Sequence, residues 1–435
     1  MINFFTDPFL RAPTIGAMLM CFASGVVGVL VFVQRRSLLG ETLSHATYPG
    51  VTLAVVAAAF LGLDEWLPLF ILSGALLSAL LGLLVMHFLK LRLKVREDSA
   101  LCLVLAAFFG VGVTIASGVQ FTHTAQFLKI QAYLYGQVAT MTDIHIAIYG
   151  GLSLLIVAMV FLFYKELQSL FFDRPFTTSR GIASWGIDTL FCVIVALALV
   201  IGIRSVGVVL MSAMLIAPAA SARQYTNRLS LMFLFAGFFG LISGFFGSYL
   251  SVVLSEVFPG RSFATGPMIV LVASTITLLS LAFAPKKGLA IRYFRIASFR
   301  FNRLQENILK AIWRHEKEKI SLGELAECQG RSRQYIKLVL FRLMARGWIK
   351  SSSANLYTLT PEGHQQGGRI IRLHRLWEVY LVNYIGVGSE RVHKNAEEIE
   401  HILSPELEKK LTRLLDNPER DPHNQPIPQS EGHVS

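Results

Sequence analysis

The stretch Gly40-Glu41-Thr42-Leu43-Ser44-His45-Ala46-Thr47-Tyr48-Pro49-Gly50 places two ionisable side chains, Glu41 and His45, four residues apart in apolar sequence. In a helix both lie on one face, about one turn apart. Ionisable residues at membrane depth usually mark an ion path, and one oxygen with one nitrogen ligand suits manganese, iron or zinc. Pro49-Gly50 interrupts the helix, as in the broken helices of membrane carriers. The alternative is an ordinary helix start, with Glu41 near its positive end and His45 bonded locally.

The sequence around this stretch has the composition of a membrane protein. Of 435 residues 53% are hydrophobic, and the mean hydropathy is +0.54, too apolar for a soluble protein. Four single cysteines form neither a CxxC pair nor a disulfide framework. Apolar runs of bilayer length recur at 14–33, 46–63, 67–89, 99–118, 144–164, 181–203, 206–222, 229–254 and 267–284. Nine spans are consistent with these runs, and eight are possible because two runs are short.

Basic residues are concentrated on every second connection between the runs, at Arg35-Arg36, Lys90 to Arg96, Lys165, Arg223 with Arg228, and Lys286-Lys287. By the positive-inside rule these connections face the cytoplasm, and so does everything after the last run. We therefore expect an all-α polytopic membrane protein with eight or nine transmembrane helices in the bacterial inner (cytoplasmic) membrane. Residues 1–287 form the transmembrane domain.

The last third of the chain changes in composition. Residues 288–303 read as a basic, aromatic linker suited to an anionic membrane surface. Residues 304–363 read as a winged helix-turn-helix: three helices, the second capped by Ser321 and the third ending at Gly347, then a hairpin. Residues 301–350 hold 11 Lys and Arg against 5 Glu and no Asp, a difference of +6. Such a basic surface suits phosphates, so we expect DNA binding, with a solvated surface helix as the alternative. The positions facing the major groove would be Arg331, Arg333, Gln334 and Lys337.

A second group of metal-ligand residues lies in the helical region 364–430, before a polar tail at 431–435. His374 and Glu378 are one helical turn apart. A second stripe consists of His393, Glu397, Glu400 and His401. One His/Glu pair is common by chance, and two close together are less so.

The first motif resembles the G-D-x-x-S-H-x-x-x-P-G signature of ABC-type permeases for manganese, zinc and iron (the ABC-3 family), with Glu41 in place of the aspartate. The stretch from Tyr164 to Asp173 and two stretches within 206–223 are also similar, so the resemblance covers about 10–287.

The resemblance implies that Glu41 and His45 handle the transported metal and that Glu166, Phe172 and Asp173 belong to a loop coupled to an ATPase. Since the chain has no phosphate-binding Gly-x-x-x-x-Gly-Lys-Ser/Thr loop, the chain is not expected to be an enzyme, and the ATPase must be a separate subunit. An extracytoplasmic metal-binding protein and a homodimer or paired permease subunit are further implied partners.

Residues 304–430 resemble the diphtheria-toxin-repressor family of metal-responsive regulators, through Arg372-Leu373-His374-Arg375-Leu376, the His393 to His401 stripe and Pro422 to Pro428. The resemblance implies a dimerisation region in which His374, Glu378, His393, Glu397, Glu400 and His401 hold a regulatory metal. Glu397 favours a hard metal such as manganese. The family's first helix supplies acidic or methionine ligands, but the corresponding positions here are Asn307 and Lys310, and a protonated lysine cannot be a ligand.

We therefore predict the permease subunit of an ATP-driven importer for manganese, iron or zinc, fused to a metal-responsive DNA-binding regulator. The rival hypothesis is a membrane-tethered metal-dependent repressor without transport activity. The motifs around Glu41, Asp173 and Pro218 favour the permease, because a membrane anchor has no need of them.

Overall fold

The structure is a computed structural model. It describes residues 4–429 except 6, 63–65, 123, 137, 139–140, 180–183, 286, 316–318, 354, 389–391, 393–395 and 398–404. The chain divides into two compact units, Met1–Ile291 and Arg292–Ser435.

The regular secondary structure of the first unit is all helical in its described residues. Its helices are α1 Pro8–Val33, α2 Ser37–Ala46, α3 Tyr48–Leu61, α4 Leu67–Leu91, α5 Glu97–Thr122, α6 Thr124–Tyr135, α7 Asp143–Leu162, α8 Tyr164–Phe172, α9 Arg174–Ser179, α10 Ser184–Val206, α11 Met211–Tyr225, α12 Leu229–Val257 and α13 Thr265–Phe283. Within the described part of the chain, eight segments are long and apolar enough to cross a membrane. They are α1, α2 with α3, α4, α5, α7, α10, α12 and α13. The chain is therefore a multi-pass membrane protein.

The seventh predicted apolar run, 206–222, is the one that does not give a full-length span. It forms α11, whose 15 residues extend about 22 Å, less than the roughly 30 Å hydrocarbon core. The turn before α11 has Gly207 at φ +91°. The backbone N–H of Val208 in this turn donates a hydrogen bond to Tyr133 O at 3.2 Å. Non-helical backbone at this depth is tolerated because protein groups satisfy it.

Helix α1 is the centre of this unit. It is apolar all round and packs against α7, α10, α11 and α12, as expected of a helix buried on every side. Its contacts with α12 depend on small residues: a Cβ on Gly25 would lie 2.4 Å from Ala236 O, and one on Gly240 would lie 2.2 Å from Cys21 O. Membrane helices associate through such close backbone approaches, since lipid supplies no hydrophobic driving force between them.

The second unit contains α14 Leu289–Arg314, β1 Ile320–Ser321, α15 Leu322–Gln329, α16 Arg333–Ala345, β2 Ile349–Ser353, β3 Leu356–Leu359, α17 Pro361–Asn383 and α18 Pro405–Leu414. The strands form an antiparallel sheet in the order β1-β3-β2, with Ile320 opposite Tyr357 and Lys350 opposite Thr358. This succession of three helices and a hairpin is the one expected for a winged helix.

Local chemistry sets the boundaries of these elements. Ser321 and Glu324 form a capping box at the start of α15: Ser321 Oγ accepts from Glu324 N at 3.2 Å, and Glu324 Oε2 accepts from Ser321 N at 2.8 Å. Gly330 and Gly347 end α15 and α16 in the left-handed conformation, at φ +59° and +74°. Behind these caps, apolar side chains of α14, α15 and α16 form one buried core around Leu309, Leu325, Ile336, Leu340 and Leu343.

The segment predicted as a linker, 288–303, is helical from Leu289 onward. It forms the first half of α14, which continues to Arg314 without a glycine or proline to end it. Residues 292–300 are exposed along this helix, consistent with their basic and aromatic composition. The predicted tail, 431–435, lies outside the described residues.

Candidate functional site

The motif from Gly40 to Gly50 forms a broken helix. Helix α2 ends at Ala46 and α3 begins at Tyr48, with Thr47 between them and Pro49 in the first turn of α3. The break follows from Pro49, which has no N–H to donate to His45 O. Nearby hydroxyls compensate for lost backbone bonds: Thr47 Oγ1 donates to Ser44 O at 2.5 Å, and Ser78 Oγ of α4 donates to Ala46 O at 2.6 Å.

Close packing holds the motif on the sides that face the protein. A Cβ on Gly50 would lie 2.0 Å from Gly74 O, so α3 and α4 touch through their backbones. On the α5 side, the His45 ring packs edge-on against Phe109, with ring centroids 4.7 Å apart. Thr42 Oγ1 also donates to Leu101 O of α5, at 3.3 Å. Helix α2 therefore packs against α5 on this side.

One stripe of α2 runs from two exposed positions to the edge of these contacts. Its positions are Ser37 and Glu41, both exposed, and His45, which is half-buried. They are spaced four residues apart and so lie along one face. His45 Nδ1 is buried and makes no hydrogen bond to any described part of the chain. A buried polar atom without a partner costs roughly 1–3 kcal/mol, so a ligand at this face would relieve a real penalty. The predicted pair thus shares one open helix face.

Ion pairs fix the start of α2. Arg36, the residue before the helix, lies with Nε 3.0 Å from Glu97 Oε1 of α5 and Nη1 3.9 Å from Asp188 Oδ1 of α10. Lys90 Nζ of α4 is 2.5 Å from Glu97 Oε2. The network joins the ends of four helices next to the motif. This network is not predictable from the sequence, in which only its basic residues are recognisable, as part of a cytoplasmic connection.

The predicted coupling loop is a pair of short helices, α8 and α9. Leu167 and Leu170 bury one side of α8, and Phe171 packs edge-on against Phe191 of α10 at 5.6 Å between centroids. On the other side Phe172 is 68% exposed, and Asp173 is exposed as well. Glu166 Oε2 is buried and has no hydrogen-bond partner among the described residues. The three predicted coupling residues therefore lie close together: Glu166 and Phe172 are in α8, and Asp173 is the residue that caps its end.

The four predicted DNA-contacting residues lie at the start of α16 and just before it. Arg331, Arg333, Gln334 and Lys337 are all exposed. Ile336, Val339, Leu340 and Leu343 are buried on the opposite side of the helix. This amphipathic arrangement leaves a basic face open.

In the second unit, His374 and Glu378 of α17 form a buried pair. His374 Nε2 lies 3.1 Å from Glu378 Oε1, and the side chains are 0% and 2% exposed. Lys310 of α14 reaches the other ring nitrogen, with Nζ 3.2 Å from His374 Nδ1. Asn307, one turn earlier on α14, is half-buried.

Residues beyond α18 pack back onto α17. Arg372 donates to Pro428 O at 2.8 Å, and Arg375 donates to Pro426 O. Burial lowers the pKa of Arg375 from its ordinary value, an effect that the Asp421 carboxylate opposes, with Oδ2 3.4 Å from Arg375 Nε.

The remaining predicted regulatory ligands are placed only in part. Glu397 is exposed, whereas His393, Glu400 and His401 lie outside the described residues. Across the described part of the chain, no three His, Cys, Asp or Glu side chains come together as a metal-binding group. The proposed ligand set of the second unit therefore stays a prediction.

Comparison with known proteins places the first unit in a family. Residues 6–284 match the ABC 3 transport family. The chain belongs to the ABC 3 transport family. The Probable metal transport system membrane protein of Chlamydia trachomatis is 35% identical over 441 residues, which cover 98% of this chain and 97% of the relative. The Manganese transport system membrane protein MntC of Bacillus subtilis is 33% identical, over 85% of this chain and 83% of the relative.

A solved structure supports the same assignment. PsaBC from Streptococcus pneumoniae in complex with Fab is similar with a TM-score of 0.57 and 27% identity, covering 67% of this chain and 96% of that chain. The resemblance of 10–287 to this family, predicted from the motifs, is confirmed, and so is the all-α membrane fold with eight candidate spans.

The second unit has a family match of its own. Residues 360–429 match a family described as the iron dependent repressor, metal binding and dimerisation domain. This member of the ABC 3 transport family therefore carries a repressor-type region after its permease region. The Chlamydia relative is aligned over 98% of the chain, so the alignment includes both matched regions.

His374 and Glu378 do not fit the metal implied by that second match, because both ring nitrogens of His374 are already in contact with side chains of this chain, Nδ1 with Lys310 and Nε2 with Glu378. From the sequence alone, Lys310 is recognisable only as a departure from the repressor-family pattern. The sequence does not reveal which side chain Lys310 contacts. It also does not reveal Phe109 and Ser78, which support the membrane motif, since neither belongs to a recognisable pattern.

Proposed function

We propose that the chain is the permease subunit of an ATP-driven importer of divalent transition metal, with manganese, zinc or iron as the class of cargo. The observation that carries the proposal is the open stripe of α2, where Glu41 and His45 present an oxygen and a nitrogen ligand at a helix break. Carboxylate and imidazole suit these metals. The names of the manganese relative from Bacillus subtilis and of the Zinc transport system membrane protein TroC of Treponema pallidum support the same class.

The stripe further supports a path between two subunits. An exposed glutamate within a membrane span is costly in contact with lipid, so this face of α2 needs a polar neighbour. One Glu41 and one His45 supply two ligands, fewer than the four that zinc usually takes. A second copy of the chain, or a similar permease subunit, with its own α2 stripe facing the first would bring both pairs to a shared path.

ATP-driven movement would enter through α8 and α9. Phe172 and Asp173 are exposed there, and Glu166 lies on the same short helix. A separate ATPase subunit docks on this side in our proposal, and an extracytoplasmic metal-binding protein delivers the ion on the other side. By the positive-inside rule, the basic connections support a cytoplasmic location for α8, α9 and the second unit, with the chain in the inner membrane of a bacterium.

The second unit is proposed to bind DNA through the basic face of α16 and to act as a fused regulator. Support comes from the exposed Arg331, Arg333, Gln334 and Lys337 and from the repressor-type match. The rival hypothesis of a tethered repressor without transport activity is disfavoured, because the family match covers almost the whole first unit. Metal response through His393, Glu397, Glu400 and His401 remains a sequence prediction.

Substitution of His45 tests the transport proposal. In cells that lack their own manganese importers, the full chain is expressed with its ATPase and binding protein, and uptake of radioactive manganese is measured. His45→Ala should reduce uptake to the background of cells without the chain, because the imidazole is one of two ligands on the stripe. The matched control is His87→Ala, which removes a half-buried histidine of α4 outside the motif and should leave uptake unchanged. Wild-type uptake by a normally inserted His45→Ala chain would refute the proposal.

A further inference from the structure

Three polar side chains form a continuous buried series in the second unit. Lys310, His374 and Glu378 are 5%, 0% and 1% exposed. The series runs from Lys310 Nζ to His374 Nδ1 at 3.2 Å, and from His374 Nε2 to Glu378 Oε1 at 3.1 Å. It joins α14 to α17 across a sequence separation of 64 residues. Buried polar groups are costly unless they are paired, so this series must be satisfied internally.

The chemistry of lysine fixes the protons of the series. An ammonium group has three donors and no acceptor, so Lys310 donates to His374 Nδ1. That bond leaves the ring proton on Nε2, where it points to the Glu378 carboxylate. With the lysine as an ammonium donor, the imidazole bridges a positive and a negative charge. A lysine paired in this way balances the carboxylate, which a low-dielectric interior requires.

This arrangement leaves no place for a divalent ion at the pair. A metal bound by imidazole needs a ring nitrogen lone pair, but Nδ1 already accepts from Lys310 and Nε2 carries the proton directed to Glu378. An ion at Nδ1 would also lie beside the lysine's positive charge in a buried space, where like charges repel strongly. Metal binding would therefore require that the lysine leave the site.

We propose that the Lys310 ammonium is a built-in cation at the His374–Glu378 pair, which keeps α14 joined to α17 without a metal ion. The regulator region of this chain then has one metal-ligand pair that is permanently occupied by its own side chain. Any metal response of the region must come from other ligands. The inference rests on contacts of α14 and α17 and does not depend on whether the permease transports metal.

Metal content of the full-length chain tests the inference. The protein is purified in detergent, stripped with chelator, incubated with manganese chloride, desalted and analysed for bound manganese by mass spectrometry. Wild type and His374→Ala should hold the same amount, because His374 binds no metal. Lys310→Glu replaces the cation with a carboxylate ligand, and it should gain about one manganese ion per chain, the content of one mononuclear site. The double variant Lys310→Glu/His374→Ala should lose that gain.

A second variant guards against loss of folding. Lys310→Met removes the ammonium at similar length and adds no charge, which leaves His374 and Glu378 available to a metal. Its melting temperature should rise on addition of manganese by more than that of wild type. All comparisons are made on monodisperse protein in the His45→Ala background, so that manganese at the proposed transport site does not contribute.

If His374→Ala loses about one metal ion relative to its parent, the pair is a metal site and the inference is wrong. The same conclusion follows if folded Lys310→Glu and Lys310→Met gain neither metal nor stabilisation by it.

Discussion

Substituting Gly50 by alanine should separate α3 from α4 and disturb the motif beside it. The added Cβ would lie 2.0 Å from Gly74 O and 2.6 Å from Ser78 Cβ, whereas ordinary contact begins near 3.4 Å. The two helix backbones must therefore move apart by about 1.4 Å, the difference between 2.0 and 3.4 Å. Overpacking of this kind costs about 1–3 kcal/mol. Because Ser78 Oγ donates to Ala46 O at 2.6 Å, the same displacement weakens the bond that supports the helix break.

Thermal unfolding of the detergent-solubilised chain measures the effect, with manganese uptake as the second readout. At roughly 2–4 °C per kcal/mol for a unit of this size, we expect the melting temperature of Gly50→Ala to fall by several degrees and uptake to fall with it. Gly110→Ala is the matched control, since Gly110 lies within α5 and a Cβ there meets nothing within 4 Å. Its melting temperature should stay the same or rise slightly, because alanine is favoured over glycine within a helix. Equal melting temperatures for the two variants would refute the close α3–α4 contact.

Two further predictions concern the second unit. Arg333→Ala removes an exposed cation from α16, so binding of the full-length chain to mixed-sequence duplex DNA should depend less on salt. The slope of the logarithm of the association constant against the logarithm of the salt concentration should become less negative by about 0.9, the value for one lost phosphate contact. Lys410→Ala on α18 is its control, and equal slopes for both variants, measured by fluorescence anisotropy, would exclude α16 as the phosphate-binding face. Ser321→Ala breaks the capping box of α15, so the unfolding free energy of the second unit should fall by about 1 kcal/mol. Pulse proteolysis measures it, and an unchanged value would show that the cap contributes nothing to stability.

The sequence predicted most where spacing alone determines geometry. Four-residue spacing placed Glu41 and His45 on one helix face, and the structure has them on the open stripe of α2. Ser321 predicted the start of α15 and Gly347 the end of α16, because capping chemistry is local. In each of these cases all the interacting residues lie within one or two helical turns of each other.

Predictions that needed contacts between distant segments were less complete. The run at 206–222 has span-like hydropathy, but its first residues form a turn held by Tyr133, so only 15 residues remain helical. The segment 288–303 read as a linker because no apolar stripe marks it, yet nothing in it breaks a helix that starts at Leu289. Lys310 was recognised as a poor metal ligand. Its pairing with His374 depends on how α14 meets α17, 64 residues later.

The contacts of α10 explain how the proposed coupling helices and the metal motif can move together. Phe191 of α10 packs against Phe171 of α8, and Asp188, less than one turn earlier, pairs with Arg36 at the start of α2. Helix α2 is ten residues long, is fixed at its start by Arg36 and ends at the Thr47 break. A short rigid segment between a tether and a hinge can rotate without deforming α3. Displacement of α8 by a partner would thus reach the Glu41–His45 stripe through two side-chain contacts. Both contacts are made within this chain, so they would connect the proposed ATPase-coupling helices with the proposed metal motif.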